Sequence, residues 1–392
     1  MVKKVFTRQI ILLSLISFFT DIASEMLYPI IPIYLKSLGF SVLFIGILEG
    51  IAESIASLSK GYFGNLSDKI GKRLPFVRWG YTLSSIAKPM MGLFPYPITL
   101  FFARTLDRFG KGIRTSARDA LLSDESTPEN KGKVFGFHRA ADTAGAVVGP
   151  IITLLILNTI SIGYRYLFIL SAIPGVVVIL LCFVLREKKR ELQKDPEKSN
   201  FFVFITYLKK SPANYRLVVI PLLIFALINS SDFFLLLKVK EYGYSDSKVI
   251  LFYILFNFSY ALFSFPSGRI ADKIGLKKVI TFGLLIFSLV YVLINVSGSF
   301  AWLIFVFLLY GLFSSSTEGM IKALITNIVP SSETATALGT YNSLSSIGVL
   351  LSSSIAGLLW NFFGSTVALG FSGLVSFIIF FYFAFLLKLK EK

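Results

Sequence analysis

Two carboxylates, Asp21 and Glu25, stand four residues apart in the apolar stretch FFTDIASEMLYPI, residues 18–30. A second pair with the same spacing, Glu49 and Glu53, follows in ILEGIAESIASLSKG. On a helix that spacing puts both acids of a pair on one face. The next apolar runs carry Lys88, then Arg104, Asp107, Arg108 and Lys111, then Arg139 and Asp142. A charge at the centre of a bilayer costs about 2.5–3.5 kcal/mol on insertion scales. These groups must therefore face a wet cavity and offset one another. Two chemistries fit such a set. The acids can bind a proton and release it as their surroundings change, or they can form static ion pairs that fix helix packing. Asp21 leads the candidates for proton exchange.

The composition says why these charges are unusual. Of 392 residues, 55% are hydrophobic and only 16% charged, and there are 40 Phe. Soluble domains carry about 25% charge. Several apolar runs reach the roughly 20 residues a membrane helix needs. The net charge of +17 lies in short loops, not on one basic domain, so it does not indicate nucleic acid. One cysteine, Cys182, and one histidine, His138, allow neither an internal disulfide nor a Cys/His metal site. His138, near a loop, reads as an interfacial side chain. The Gly-Lys of DRFGKGIR lacks the full phosphate-loop spacing, and no nucleophile–base pair is visible, so neither ATP coupling nor an enzyme is expected. No cofactor is expected.

Hydropathy places spans near 10–35, 42–65, 75–95, 97–117, 134–157 and 165–185, then 215–237, 247–270, 277–297, 300–326, 334–362 and 365–388. The chain divides into a six-helix bundle over 1–186, a linker over 187–213 and a second six-helix bundle over 214–392. Residues 200–210 are too few to span and read as an interfacial helix. Lys and Arg crowd the N-terminus, alternate loops, the central loop and the C-terminus, which places both termini in the cytoplasm.

One unit occurs twice. GNLSDKIGKR begins at Gly64 and GRIADKIGLKK at Gly268, so Gly64, Asp68 and Gly71 map onto Gly268, Asp272 and Gly275 at one constant shift. Paired repeats around a midplane site are a recurrent plan of secondary transporters. The Gly-x-x-x-Asp-x-x-Gly-(Arg/Lys)-(Arg/Lys) pattern of Gly64, Asp68, Gly71, Lys72 and Arg73 resembles the loop signature of the major facilitator superfamily (MFS), and the second copy keeps its first half. The resemblance covers essentially the whole chain. It implies an all-α polytopic membrane protein with the MFS fold, twelve transmembrane helices in two pseudo-symmetric six-helix bundles.

The resemblance also implies roles. Asp68 is the acid of a latch at the loop, with Arg114 or Arg118 as its partner. Asp21, before Pro29, resembles the span-one acid of the drug:proton antiporter branch. Gly145, Gly149 and Pro150 resemble that branch's span-five motif, with the trailing glycines replaced by Ile and Thr; Arg104, Gly110 and Gly112 resemble its span-four motif with the glycines two residues late. The bases Lys88, Arg104, Arg108, Lys111 and Arg139 would offset the buried acids. Substrate contacts are expected from Asn229, Asp232, Asn257, Tyr260, Glu318, Tyr341 and Asn342, with Glu318 and Lys322 spaced to pair on one helix. Two functions stay open: proton-coupled efflux of a small organic or amphiphilic compound, and proton- or sodium-coupled transport of a defined solute such as an organic anion. The expected partners are a small-molecule substrate, protons or sodium, and the lipid bilayer of the cell membrane, with no nucleic acid and the chain acting as a monomer.

Overall fold

The computed structural model describes residues 5–28, 30–40, 42–159, 163–187, 203–230 and 232–388. Pro29 and most of the central loop lie outside them, as does the side chain of Glu49. The described structure is helical. Span one is two helices, α1 (Arg8–Glu25) and α2 (Ile31–Ser37). Spans two to five are α3 (Val42–Ile70), α4 (Leu74–Leu93), α5 (Pro97–Asp124) and α6 (Lys131–Thr159). Span six is α7 (Tyr164–Leu170) with α8 (Ala172–Val184), and α9 (Val203–Lys210) lies in the linker. Span seven is again two helices, α10 (Ala213–Ala226) and α11 (Phe233–Glu241). Spans eight to twelve are α12 (Asp246–Ile274), α13 (Leu276–Leu293), α14 (Phe300–Ile328), α15 (Thr334–Phe363) and α16 (Ser365–Lys388).

Three spans expected as single helices are therefore broken, and the physical cause is visible for the first. The chain leaves the helix after Glu25, so carbonyls at that end lose their partners. Thr153 of α6 donates its hydroxyl to the Met26 carbonyl at 2.7 Å. Below the break, Leu27, Ile31 and Tyr34 pack with Met91, Leu100 and Phe168 in a buried apolar cluster. Span four extends beyond its expected end, so Arg118 lies within α5 together with Arg114.

The chain forms two compact units. The first holds Met1–Glu125, Ala141–Lys210 and Val329–Ser343; the second holds Ser126–Ala140, Ser211–Ile328 and Leu344–Lys392. In the first, α5 packs on α3 and α4, and α8 on α1 and α4. In the second, α14 packs on α12 and α13, and α13 on α16.

Glycines set the closest approaches. A Cβ at Gly145 would lie 2.4 Å from the Phe18 carbonyl and 3.0 Å from Asp21 Cβ, and one at Gly149 would lie 2.7 Å from the Met26 nitrogen. The span-five glycines thus let α6 press against α1 at the level of its two acids, and Pro150 follows them inside α6. Gly71 (φ +68°) and Gly275 (φ +104°) end α3 and α12 in a backbone region that side chains disfavour.

Gly145→Leu is expected to lower the melting temperature of the purified protein in detergent, because overpacking costs about 1–3 kcal/mol. Gly163→Ala, where a Cβ meets nothing within 4 Å, serves as the control and should leave it unchanged.

Candidate functional site

The first unit holds a polar cavity. Asp21, Ser24, Glu25 and Tyr28 line it from span one, Lys88 and Met91 from α4, and Arg104, Asp107, Arg108, Lys111 and Arg114 from α5. At its centre Lys88 Nζ donates to Asp107 Oδ1 at 2.9 Å and to the Ser84 carbonyl at 3.2 Å. Arg104 reaches Asp107 Oδ2 at 3.4 Å. Lys88, Arg104 and Asp107 are all buried. Removing one member of such a pair costs about 3–5 kcal/mol, because the other charge stays behind unmatched. The acids and bases expected to compensate one another are therefore brought together here, among them Asp21 and Glu25 with Lys88, Arg104, Arg108 and Lys111.

The individual acids differ. Glu53 lies 3.8 Å from Arg108 Nε with half its side chain exposed. Asp142 lies 3.9 Å from Arg118. Glu25 sits in the field of Lys111, Arg108 and Arg104, yet its Oε2 is buried without a hydrogen-bond partner among the described residues. Lys111 Nζ makes no hydrogen bond or ion pair among the described residues and interacts at longer range with Glu53 and Asp21.

Several expectations are corrected. Arg114 is not the partner of Asp68. It lies 4.5 Å over the Tyr81 ring and donates to Ser84 Oγ at 2.7 Å, which places it in the cavity. Arg118 donates to its neighbour Asp119 at 2.8 Å and to Ser17 Oγ at 3.0 Å. Arg139 has partners in its own unit. It belongs to the second unit, where its guanidinium bonds Tyr260 and Glu318. Glu318 is thus engaged by Arg139. His138 is buried, not interfacial. Gly110 and Gly112 are packing glycines, pressed against Gly80 and against Ala56 and Ser59.

The repeated loop motif builds two similar junctions. Asp68 Oδ2 accepts from the Thr336 amide at 2.7 Å and the Thr336 hydroxyl at 2.9 Å, which caps the start of α15. Its Oδ1 accepts from Arg73 at 2.9 Å. Arg73, fully buried, also donates to Asp124 at 2.7 Å and to the Ser331 carbonyl at 3.0 Å. The partner of Asp68 is therefore the arginine of its own motif. Glu187 accepts from the amides of Arg73 and Leu74 at 2.7 and 2.9 Å, capping α4 in turn. In the second unit, Asp272 accepts from the amides of Gly132 and Lys133 at 2.7 and 3.0 Å and caps α6. The glycines permit both contacts: a Cβ on Gly64 would lie 2.4 Å from the Ala335 carbonyl, and one on Gly268 would lie 2.1 Å from the Gly132 carbonyl. Lys72 follows Gly71 outside this network as described. Thr336, Asp124 and Glu187 escaped the sequence reading. Pro330 followed by Ser, Ser, Glu and Thr was the available sign of a helix start.

The expected substrate contacts divide between the two units. Asn229 and Asp232 stand in the break of span seven, Asn257 donates to the Tyr253 carbonyl at 3.0 Å, and Tyr260 holds Arg139. Tyr341 and Asn342, on α15, fall in the first unit.

Broken helices beside buried charge, repeated in two halves, define a polytopic membrane transporter and not an enzyme. The model of the Major Facilitator Superfamily matches residues 13–257 and 233–392. An uncharacterized MFS-type transporter of Methanocaldococcus jannaschii is 34% identical over 360 residues, 90% of this chain and 89% of the relative. The multi-drug resistance efflux pump PmrA of Streptococcus pneumoniae is 23% identical over 324 residues, 80% and 79% of the two chains. The crystal structure of the human organic anion transporter MFSD10 superposes with a TM-score of 0.79 at 15% identity, over 96% of this chain and 99% of that one. The chain belongs to the Major Facilitator Superfamily, with its fold of twelve transmembrane helices in two pseudo-symmetric six-helix bundles.

Asp68→Asn keeps the size of the side chain but removes the charge that Arg73 and Thr336 share. Transport should fall about tenfold or more, while the amount of protein inserted in the membrane stays unchanged. Equal transport rates at equal surface amount, measured by flux and immunoblot, would contradict the junction's role.

Proposed function

We propose that the chain is a proton-coupled secondary transporter that exports a small organic compound by alternating access, and that the first-unit cavity carries the proton. The observation that supports this most is Glu25. A carboxyl whose oxygen is buried without a hydrogen bond among the described residues, at a helix break and in reach of several cations, suits a group that gains a proton in one state and gives it up in another. Lys111 and Arg108 can hold the carboxylate once the proton leaves. Asp21, one helical turn away, opens the same cavity to exchange. The named role of PmrA as an efflux pump agrees with this direction.

A second reading rests on the excess of bases. Among the described residues of the cavity lining, Lys88, Arg104, Arg108, Lys111 and Arg114 face Asp21, Glu25 and Asp107. The Lys111 ammonium, without a close partner among the described residues, suits an anionic substrate. The name of MFSD10 points the same way.

In this account both termini face the cytoplasm across the cell membrane, as the Lys and Arg distribution favours. Asp68 and Asp272 act as gating latches, and one chain works alone. The bundle over 1–186, the linker over 187–213 and the bundle over 214–392 remain the functional divisions.

The test is proton flux in sealed inside-out vesicles with an acid interior, challenged with lipophilic cations, neutral drugs and organic anions. Some compounds should collapse the gradient with the natural chain and none with Glu25→Gln. An unchanged response in Glu25→Gln would remove Glu25 from proton coupling.

A further inference from the structure

The break in span seven assembles oxygen atoms that the first-unit cavity does not explain. α10 ends at Ala226 and α11 begins at Phe233, and the turn between them carries Asn229, Ser230 and Asp232. Tyr310 of α14 donates its hydroxyl to Asp232 Oδ1 at 2.5 Å. Tyr291 of α13 brings its hydroxyl up to Ser230 and Tyr310 without regular hydrogen-bond geometry to either. Among the described residues, Asn229 Oδ1, Ser230 Oγ and Tyr291 Oη are buried without a hydrogen-bond partner. Ser230 and Tyr291 are 2% and 0% exposed, so no bulk water compensates them. Unmatched buried polar atoms are costly, about 1–3 kcal/mol each.

The charge is equally unmatched. Every described acid of the first-unit cavity has cations beside it. Asp232 has Tyr310 and its own backbone, and among the described residues no Lys, Arg or His pairs with it. The C-terminal end of α10 points its negative dipole end and its last carbonyls at the same turn. All of these features ask for a cation.

We propose that the span-seven break is a sodium site, with Asp232, Asn229, Ser230 and Tyr291 as its oxygen donors. The chemistry selects the ion. Carboxylate, amide and hydroxyl oxygens are hard donors and suit a hard cation. A single carboxylate neutralises a monovalent ion and would leave a divalent one with net charge inside the bundle. A proton would satisfy Asp232 alone and leave the other three oxygens as they are. An organic ammonium lacks room, because the surrounding rings pack on one another: Phe287 and Tyr291 centroids are 4.1 Å apart, and Phe256 and Tyr310 4.7 Å. Broken transmembrane helices whose C-terminal ends coordinate sodium are an established arrangement in other transporter folds. All the residues lie in the second unit, so the site stands independently of the proton proposal.

The experiment is equilibrium binding of radioactive sodium to the purified full-length chain in lipid nanodiscs, at constant ionic strength with choline as the replacing cation. Saturable binding is expected. Asp232→Asn should abolish it. Tyr291→Phe removes one oxygen and keeps the ring packing, and should weaken it roughly tenfold without lowering the melting temperature in choline. Because the readout is binding, the outcome does not depend on transport or on Glu25. Absence of saturable sodium binding by folded natural protein would overturn the proposal. So would sodium binding unaffected by both substitutions, or proton uptake that Asp232→Asn removes while sodium has no effect.

Discussion

The ion pair between Lys88 and Asp107 is the constraint around which the first unit is built. Neither charge could stand alone inside a membrane helix bundle. Together, 2.9 Å apart and joined by Arg104, they become tolerable. Their positions fix how α4 meets α5, and the contact is tightened by Ser84, whose hydroxyl donates to the Asp107 carbonyl at 2.9 Å. Gly80 and Gly110 allow the two backbones to come this close. Once that pair is in place, the remaining bases of α5 face span one, and Asp21 and Glu25 can sit opposite them. The cavity is a consequence of charge matching, and its titratable groups are held ready by neighbours that cannot move far.

The same economy of charge governs the helix ends. Asp68 and Asp272 each accept the first amides of another helix, α15 and α6 respectively. Both sit just before a glycine with positive φ, and both face a close backbone approach that only glycine permits. The copies are not equal. Asp68 is tied through Arg73 to Asp124 and Ser331, while Asp272 has, among the described residues, Lys133 at 3.9 Å besides the amides. The first junction therefore holds more polar partners together. Glu187 and Tyr207 extend it: one caps α4, and the other, on α9, donates to Glu333 at 2.9 Å. The linker thereby contacts the segment that Asp68 caps.

The fold was largely legible because its signals are long or repeated. Apolar runs, alternating basic loops and a motif occurring twice at one shift need no tertiary knowledge. The gathering of buried charges was legible too, since physics leaves such charges few alternatives. What escaped were features set by three-dimensional packing. The breaks after Glu25 and before Phe233 interrupt apolar runs that read as continuous, and Thr153, which satisfies the Met26 carbonyl, lies more than a hundred residues away. Charge pairing by type was readable, but pairing by partner was not. The resemblance offers Arg114 or Arg118 as the partner of Asp68, and sequence distance cannot show that Arg114 turns toward Tyr81 and Ser84 while Arg73 meets Asp68.

The claim at the centre of this account is that the cavity is held by mutual neutralisation. The most direct measurement is thermal unfolding of a double-mutant cycle at Lys88 and Asp107, using Lys88→Met, Asp107→Leu and the combination. Each single variant should be strongly destabilised, and the double variant should melt above Asp107→Leu, because the orphaned ammonium is gone. If the two losses simply add, the charges do not depend on one another, and the cavity's architecture has another origin.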